Sequence, residues 1–162
     1  MNRRAFARIK AFLIITGLVF LDQISKYLAV IFLKSQPSFT VIPKVLELCY
    51  VENRGAAWGL LSGFAAARYL FVALAAAAVV LLASSYVRIT GQKLLSFLFL
   101  VLAAGAAGNA IDRFFLGYVI DFIYISLIDF PVFNIADCYI TVSAACFLLF
   151  YRREVLSWIR ES

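Results

Sequence analysis

Long apolar runs separated by short polar stretches organise this chain. Tyr69 to Val87 carries no charge, Leu94 to Ile111 carries none, and Ala11 to Leu21 runs uncharged up to Asp22. Cys138 to Tyr151 is shorter, and apolar Phe130 to Ala136 extends it on one side. A helix rises about 1.5 Å per residue, so about 20 mostly apolar residues cross the hydrocarbon of a bilayer. The pattern predicts four spans, roughly Phe12–Leu33, Ala66–Val87, Leu94–Asp112 and Ile135–Arg152. Asp22 and Lys26 interrupt the first, and the last is short.

The connecting segments 34–65 and 113–134 follow another pattern. Phe39–Ile42 and Val45–Val51 are rich in β-branched and aromatic residues and are separated by Pro43-Lys44, which predicts a hairpin or small sheet. Tyr118–Ile125 is also strand-like and can join it. Both segments are apolar for exposed loops and are expected to lie on the bilayer. Arg88–Lys93 is a tight polar turn, and alanine-rich Ala73–Ala78 suits close helix packing. The expected fold is a mainly α membrane protein: one domain over residues 1–162, four transmembrane helices, and a small β-sheet on the outer face.

Composition supports the membrane reading. The 162 residues are 65% hydrophobic and 15% charged, against about 25% charged in soluble domains. A soluble fold of this size would expose large apolar patches. The net charge of +6 raises the question of nucleic acid, but its distribution answers against it. Arg3, Arg4, Arg8 and Lys10 precede the first span, Arg88 and Lys93 lie between the second and third, and Arg152, Arg153 and Arg160 follow the fourth. Four spans put all three groups on one side, which the positive-inside rule makes cytoplasmic. Of the nine acidic residues, only Glu154 and Glu161 fall there. The basic N-terminus resembles a signal peptide, but its apolar run continues into Leu21-Asp22-Gln23 without small residues of the A-x-A kind, so a retained helix is expected. Cys49, Cys138 and Cys146 have neither metal nor disulfide spacing.

Ionisable residues at membrane depth are costly and are candidates for function. Asp22 and Lys26 share a helix face; the plain alternative is a self-neutralising pair with Lys26 reaching to the surface. Asn53-Arg54-Gly55-Ala56-Ala57-Trp58-Gly59 joins the sheet to the second span, where Trp58 can equally be an interfacial anchor. Gly105 to Arg113 closes the third span, with Asn109 and Arg113 on one face; Asp112 and Arg113, being adjacent, are expected to reach different neighbours. Its alternative role is helix-to-helix hydrogen bonding. Asp121 is an acid inside an apolar strand, and Asp137 opens the fourth span. Asn134-x-x-Asp137 resembles a capping box, which accounts for Asp137 but not for Asp121. Two carboxylates at an apolar boundary can share one proton, giving a general base and a general acid, the chemistry of an aspartic peptidase. The chain has no histidine, and no serine stands in a nucleophile-elbow or Ser-x-x-Lys setting. A metal site is not expected.

These residues carry a resemblance. Asp22-Gln23-x-Ser25-Lys26, Asn53 to Gly59, Gly105-Ala106-Ala107-Gly108-Asn109-x-x-Asp112-Arg113, Val119-Ile120-Asp121-Phe122 and Phe133-Asn134-Ile135-Ala136-Asp137 stand in the order found in the bacterial lipoprotein signal peptidase (signal peptidase II) family. Ala104 departs from it, since the family commonly has a second glycine before Gly105. The resemblance implies that Asp121 and Asp137 are the catalytic pair and that Asp22, Asn53, Asn109, Arg113 and Asn134 line the site. Lys26, Arg54, Gly55 and Asp112 complete the supporting set drawn from the same motifs. It further implies cleavage of diacylglyceryl-modified prolipoproteins just before the lipidated cysteine, by water and without metal or cofactor. The expected setting is the bacterial cytoplasmic (inner) membrane, in contact with membrane lipids, with both termini cytoplasmic and the site near the outer, periplasmic face. Globomycin-like peptides are expected inhibitors, nucleic acid is not an expected partner, and the protein is expected to be a monomer. A small transporter or channel component with ion-binding carboxylates, or a non-catalytic membrane assembly protein, are the competing readings.

Overall fold

The computed structural model of the protein describes residues 2–55, 67–88 and 92–161. Helix α1 spans Arg3–Leu33, strands β1 and β2 span Phe39–Ile42 and Leu46–Asn53, helices α2 and α3 span Ala67–Arg88 and Lys93–Phe115, strand β3 spans Val119–Tyr124, and helix α4 spans Ile135–Glu161. A short 3-10 turn, Ser126–Ile128, follows β3. The fold is mainly helical with one small sheet. Two of the helical segments, Arg68–Val87 and Lys93–Phe115, are long and apolar enough to cross a membrane, and Ile135–Tyr151 is a shorter apolar stretch.

The element boundaries follow from local chemistry. Helix α1 starts earlier than the apolar run because the Asn2 side chain caps it, accepting from the Arg4 N–H at 3.1 Å. The basic residues that follow are good helix formers and continue it. Residue 66, the expected start of the second span, lies outside the described residues. The β1–β2 turn holds Lys44 at φ 61°, and the Val45 N–H closes it on the Ile42 carbonyl at 3.0 Å. The sheet is three-stranded and antiparallel in the order β1-β2-β3, so the third strand does join the hairpin. Phe130–Phe133 is not part of the fourth helix. It returns beside β3, where Phe133 and Ile123 exchange backbone hydrogen bonds of 2.8 and 3.0 Å. Pro131 cannot donate to a helix ladder.

Helix α3 is central and packs against α1, α2 and α4. Its buried face carries Ala103, Ala104, Gly105 and Gly108. Small residues there let the neighbouring backbone approach closely. A Cβ built on Gly105 would lie 2.6 Å from the Ala136 carbonyl, and one on Gly108 would lie 2.5 Å from Asp22 Oδ2. Ala104 is itself fully buried, so the methyl group that departs from the family pattern is accommodated. The exterior is the reverse of a soluble protein's. Phe12, Phe20, Val80, Leu81 and Leu149 are exposed, while Asp22, Lys26, Asn109, Asp112, Asp121 and Asn134 are buried. Lipid as the surrounding solvent makes that arrangement favourable.

Two substitutions test the α3–α4 contact. Gly105→Ala should destabilise the protein by about 1–3 kcal/mol through overpacking against a backbone atom. Gly17→Ala meets nothing within 4 Å and should be neutral or stabilising. Thermal melts in detergent would check both, and equal effects would contradict the packing described.

Candidate active site

Buried Asp22, Lys26, Asn109, Asp112, Asp121 and Asn134 form one polar network, and Lys26 on α1 is its hub. The Lys26 ammonium lies 2.9 Å from Asp22 Oδ2 and 2.9 Å from Asp112 Oδ2, and donates to Asn109 Oδ1 at 3.0 Å. Its hydrogens are fully committed. The alternative in which Lys26 reaches to the surface is not what forms: it is 1% exposed and turns inward. Two buried carboxylates could not be left unpaired in an apolar bundle, and the ammonium that satisfies them must stay with them.

Asp22 and Asp112 carry this cluster into the rest of the fold. Asp22 Oδ1 accepts from the Ala136 N–H at 2.9 Å, in the first turn of α4. Asp112 Oδ2 accepts from the Ile120 N–H at 3.1 Å, anchoring β3 to the end of α3. The Gln23 amide donates to Asp112 Oδ1 at 2.9 Å and lies 3.2 Å from Asp22 Oδ2. Gln23 stands in the Asp22–Lys26 motif with no role that the sequence assigns. A further polar residue beside Asp22 at membrane depth was the available signal.

Asp121 and Asp137 come together through asparagines. On the sheet, Asp121 stands opposite Val51 and Asn53 opposite Val119, so Asn53 reaches diagonally and its Nδ2 donates to Asp121 Oδ2 at 3.0 Å. Asn53 Oδ1 accepts from the Gly55 N–H at 3.0 Å, which ends β2 in a turn. The return of Phe133 along β3 delivers Asn134 to the other carboxylate oxygen, where Asn134 Nδ2 donates to Asp121 Oδ1 at 2.6 Å. Asn134 also caps α4 in the predicted box. Its Oδ1 accepts from the Asp137 N–H at 3.0 Å, and its own N–H donates to Asp137 Oδ2 at 3.1 Å. The second Asp137 oxygen accepts from Asn109 Nδ2 at 2.8 Å. Asn134 Nδ2 lies 3.1 Å from Asn109 Oδ1 as well.

The two carboxylates differ in setting. Asp121 is 2% exposed and Asp137 is half-buried. Burial pushes the Asp121 carboxyl up to about 6 from its ordinary 3.8, and the Asp137 charge pushes the same way, against the hydrogen bonds from Asn53 and Asn134 and the charge of Lys26. Such a pair can hold one proton between its members near neutral pH.

The remaining expected residues are placed less uniformly. Arg113 and Asp112 do reach different neighbours. Arg113 donates to the Gly55 carbonyl at 3.0 Å, lies 3.5 Å from the Asn109 carbonyl, and stacks its guanidinium 5.0 Å from the Phe71 ring. Its described hydrogen bonds thus go to backbone at the rim and not to an aspartate. Arg54 is exposed, 3.5 Å from Glu52 and 5.7 Å from the Tyr118 ring. Residues 56–59 of the Asn53–Gly59 motif, Trp58 included, lie outside the described residues. Cys49, Cys138 and Cys146 are free thiols.

Known proteins resemble this chain over most of its length. The family model described as signal peptidase (SPase) II matches residues 14–152. A lipoprotein signal peptidase of Caldanaerobacter subterraneus is 40% identical over 135 residues, 83% of this chain and 90% of its own. That of Staphylococcus aureus is 36% identical over 141 residues, 85% of this chain and 84% of its own. Two solved structures, each described as a bacterial membrane enzyme, superpose with TM-scores of 0.80 and 0.74 at 32% and 34% identity. They cover 90% and 86% of this chain, and this chain covers 89% and 90% of theirs. On the length of the family match and the identity of these relatives, the chain belongs to the signal peptidase II family.

Proposed function

We propose that this membrane peptidase removes the signal peptide from diacylglyceryl-modified prolipoproteins, cutting just before the lipidated cysteine, with Asp121 and Asp137 as an aspartic dyad. One observation carries the reading: Asn134 donates its amide to Asp121 and its backbone N–H to Asp137, so a single residue bridges the two carboxylates. Asp137, the more accessible, takes a proton from water as it attacks the scissile carbonyl carbon. Asp121, the deeper, donates to the carbonyl oxygen. The roles reverse as the tetrahedral intermediate collapses and the amine leaves protonated. Asn53, Asn109 and Asn134 orient the pair. Arg113 and Gly55 hold the rim, and exposed Arg54 is available to the substrate. Asp22, Lys26 and Asp112 supply the frame, and Lys26 occupies both of those carboxylates. That leaves neither as a free ion site, which counts against the transporter reading.

The proposal places one domain in the bacterial cytoplasmic membrane, with four spans, both termini cytoplasmic, and the dyad near the periplasmic face where the sheet rests on the lipid. The substrate's acyl chains lie in that leaflet and its signal helix crosses the bilayer, so its scissile bond is held at the depth of the dyad. Such positioning supplies a large part of a rate. Globomycin-like peptides would compete for the same groove, and the protein would act as a monomer.

Three measurements bear on this. Asp121→Asn and Asp137→Asn should each lower kcat on a lipidated precursor by more than about 1,000-fold, with the double variant no worse than either single one. Insertion and inhibitor binding, followed by thermal shift, should persist; substantial cleavage by either variant removes the aspartic mechanism. Reporter fusions after Ser162 and within 34–39 should report cytoplasm and periplasm respectively, and an outward C-terminus would overturn the site's placement. The third is a pH profile. If the reactive form needs a proton on Asp121, kcat/KM falls on the alkaline side as that carboxyl ionises. The Asn53 hydrogen bond favours the ionised form. Asn53→Ala therefore raises the apparent pKa of the pair and moves the alkaline limb to higher pH. A limb that stays put or moves down contradicts this assignment.

A further inference from the structure

We infer that Lys26 is a positioning residue for the reaction: it fixes the direction of the Asn109 amide, so that the nitrogen and not the oxygen faces Asp137. This rests on the dyad reading above and adds the group that orients it.

A side-chain amide has nearly the same shape either way round, so its direction must be imposed by its partners. At Asn109 the oxygen end meets the Lys26 ammonium at 3.0 Å and Asn134 Nδ2 at 3.1 Å, and the nitrogen end meets Asp137 Oδ1 at 2.8 Å. An ammonium has only donors to offer. Turned round, Asn109 would point its NH2 at two donors and its oxygen at a carboxylate, losing three hydrogen bonds in a dry site. Lys26 is itself immobilised by Asp22 and Asp112 at 2.9 Å each. The Asn134 amide is fixed separately. Its oxygen accepts the Asp137 backbone N–H, which cannot reverse, so its NH2 must face Asp121 and Asn109. Both asparagines that hold the dyad thus have a set direction, one dictated by a buried cation and the other by a helix N-terminus.

The inference separates Lys26 from a merely structural ion pair. A structural lysine would affect folding and leave the chemistry of the folded fraction unchanged. A positioning lysine acts on kcat and acts through Asn109. Steady-state kinetics on a lipidated precursor, corrected for folded protein by inhibitor binding, are needed for Lys26→Met, Asn109→Leu and the double variant. Lys26→Met should lower kcat by about 100-fold, the scale of a misplaced reacting group, with KM within about threefold. In the Asn109→Leu background it should cost little more, since residues that act as a unit are strongly non-additive. Wild-type kcat in folded Lys26→Met, or full additivity with Asn109→Leu, overturns the inference.

Lys26→Met leaves two buried carboxylates unpaired and can fail to fold, so Asn109→Asp gives a second test. It keeps the size and strengthens the contact with Lys26, but presents an oxygen to Asp137. Its kcat should fall by about 100-fold at neutral pH and recover partly in acid, where a proton between the two carboxylates restores a donor. The charged and titratable groups of this network and beside it are Asp22 and Lys26 from α1, Asp112 and Arg113 from α3, Asp121 and Cys49 from the sheet, and Asp137, Cys138 and Tyr139 from α4. Matched profiles of wild type and Asn109→Asp subtract the contribution they share. Asn109→Asp with kcat within about twofold of wild type overturns the inference by showing that the amide's direction does not matter. Cleavage by the Asp121→Asn or Asp137→Asn variants would instead overturn the dyad, whatever Lys26 does.

Discussion

A buried ammonium has to be paired, and the interior of this protein is arranged around that requirement. Removing one partner of a buried ion pair costs about 3–5 kcal/mol, and Lys26 has two such partners together with an amide oxygen. Each partner leads elsewhere in the fold. Asp22 reaches the first turn of α4, Asp112 reaches the start of β3, and Asn109 reaches Asp137. The elements that carry the two candidate catalytic carboxylates are therefore indexed to one point on α1. Sheet and helices meet there through polar bonds, while their apolar faces turn outward to lipid.

That indexing explains the small residues of α3. Asp22 can bond the Ala136 N–H only if α4 approaches α3 closely, and Gly105 and Gly108 leave the space for it. The segment between β3 and α4 serves the same end. A left-handed Asp129 closes the 3-10 turn, Phe133 pairs with Ile123, and Asn134 arrives against Asp121 with its helix still to begin. The capping box and the dyad are thus one construction. The side-chain oxygen of the N-cap asparagine accepts the Asp137 N–H of α4, and its amide NH2 is aimed at the carboxylate on the strand.

Much of this was legible in the sequence, for identifiable reasons. The first strand runs Phe39–Ile42 as its β-branched composition and the Pro43-Lys44 break require. The i, i+4 spacing of Asp22 and Lys26 and the capping-box spacing of Asn134 and Asp137 fix local partners, and both pairs form. What spacing cannot say is which way a helical face points. Spacing alone leaves two directions open to Lys26, outward to the surface or inward to the site, because its only partner visible in the sequence is Asp22. Asp112, 86 positions on in the chain, turns it inward. Arg113 shares a face with Asn109, yet its length carries it past the aspartates to the Gly55 carbonyl. Gln23 carries only the weak signal of a polar residue at membrane depth, and the Ala136 N–H, being backbone, carries none. The extended course of Phe130–Phe133 was hidden by apolar composition, which suits a span or a strand equally well, with only Pro131 to tell them apart.

The choice of asparagine over a charged residue around the two carboxylates has a physical reason. A lysine bonded directly to Asp137 would hold it ionised and compete for the proton that the pair has to pass. An amide donates a hydrogen bond and carries no net charge, so it fixes a carboxylate oxygen and favours its ionised form less strongly than a cation at contact would. Asn109 stands between Lys26 and Asp137 in that way. The cation sets the direction of the amide at contact distance, and the carboxylate feels its charge only from farther off, where the attraction is weaker. Orientation is passed along this chain of bonds, and the Lys26 charge acts on Asp121 without contact. The proposed dyad needs that separation, because a cation at contact would leave neither acid free to carry the proton.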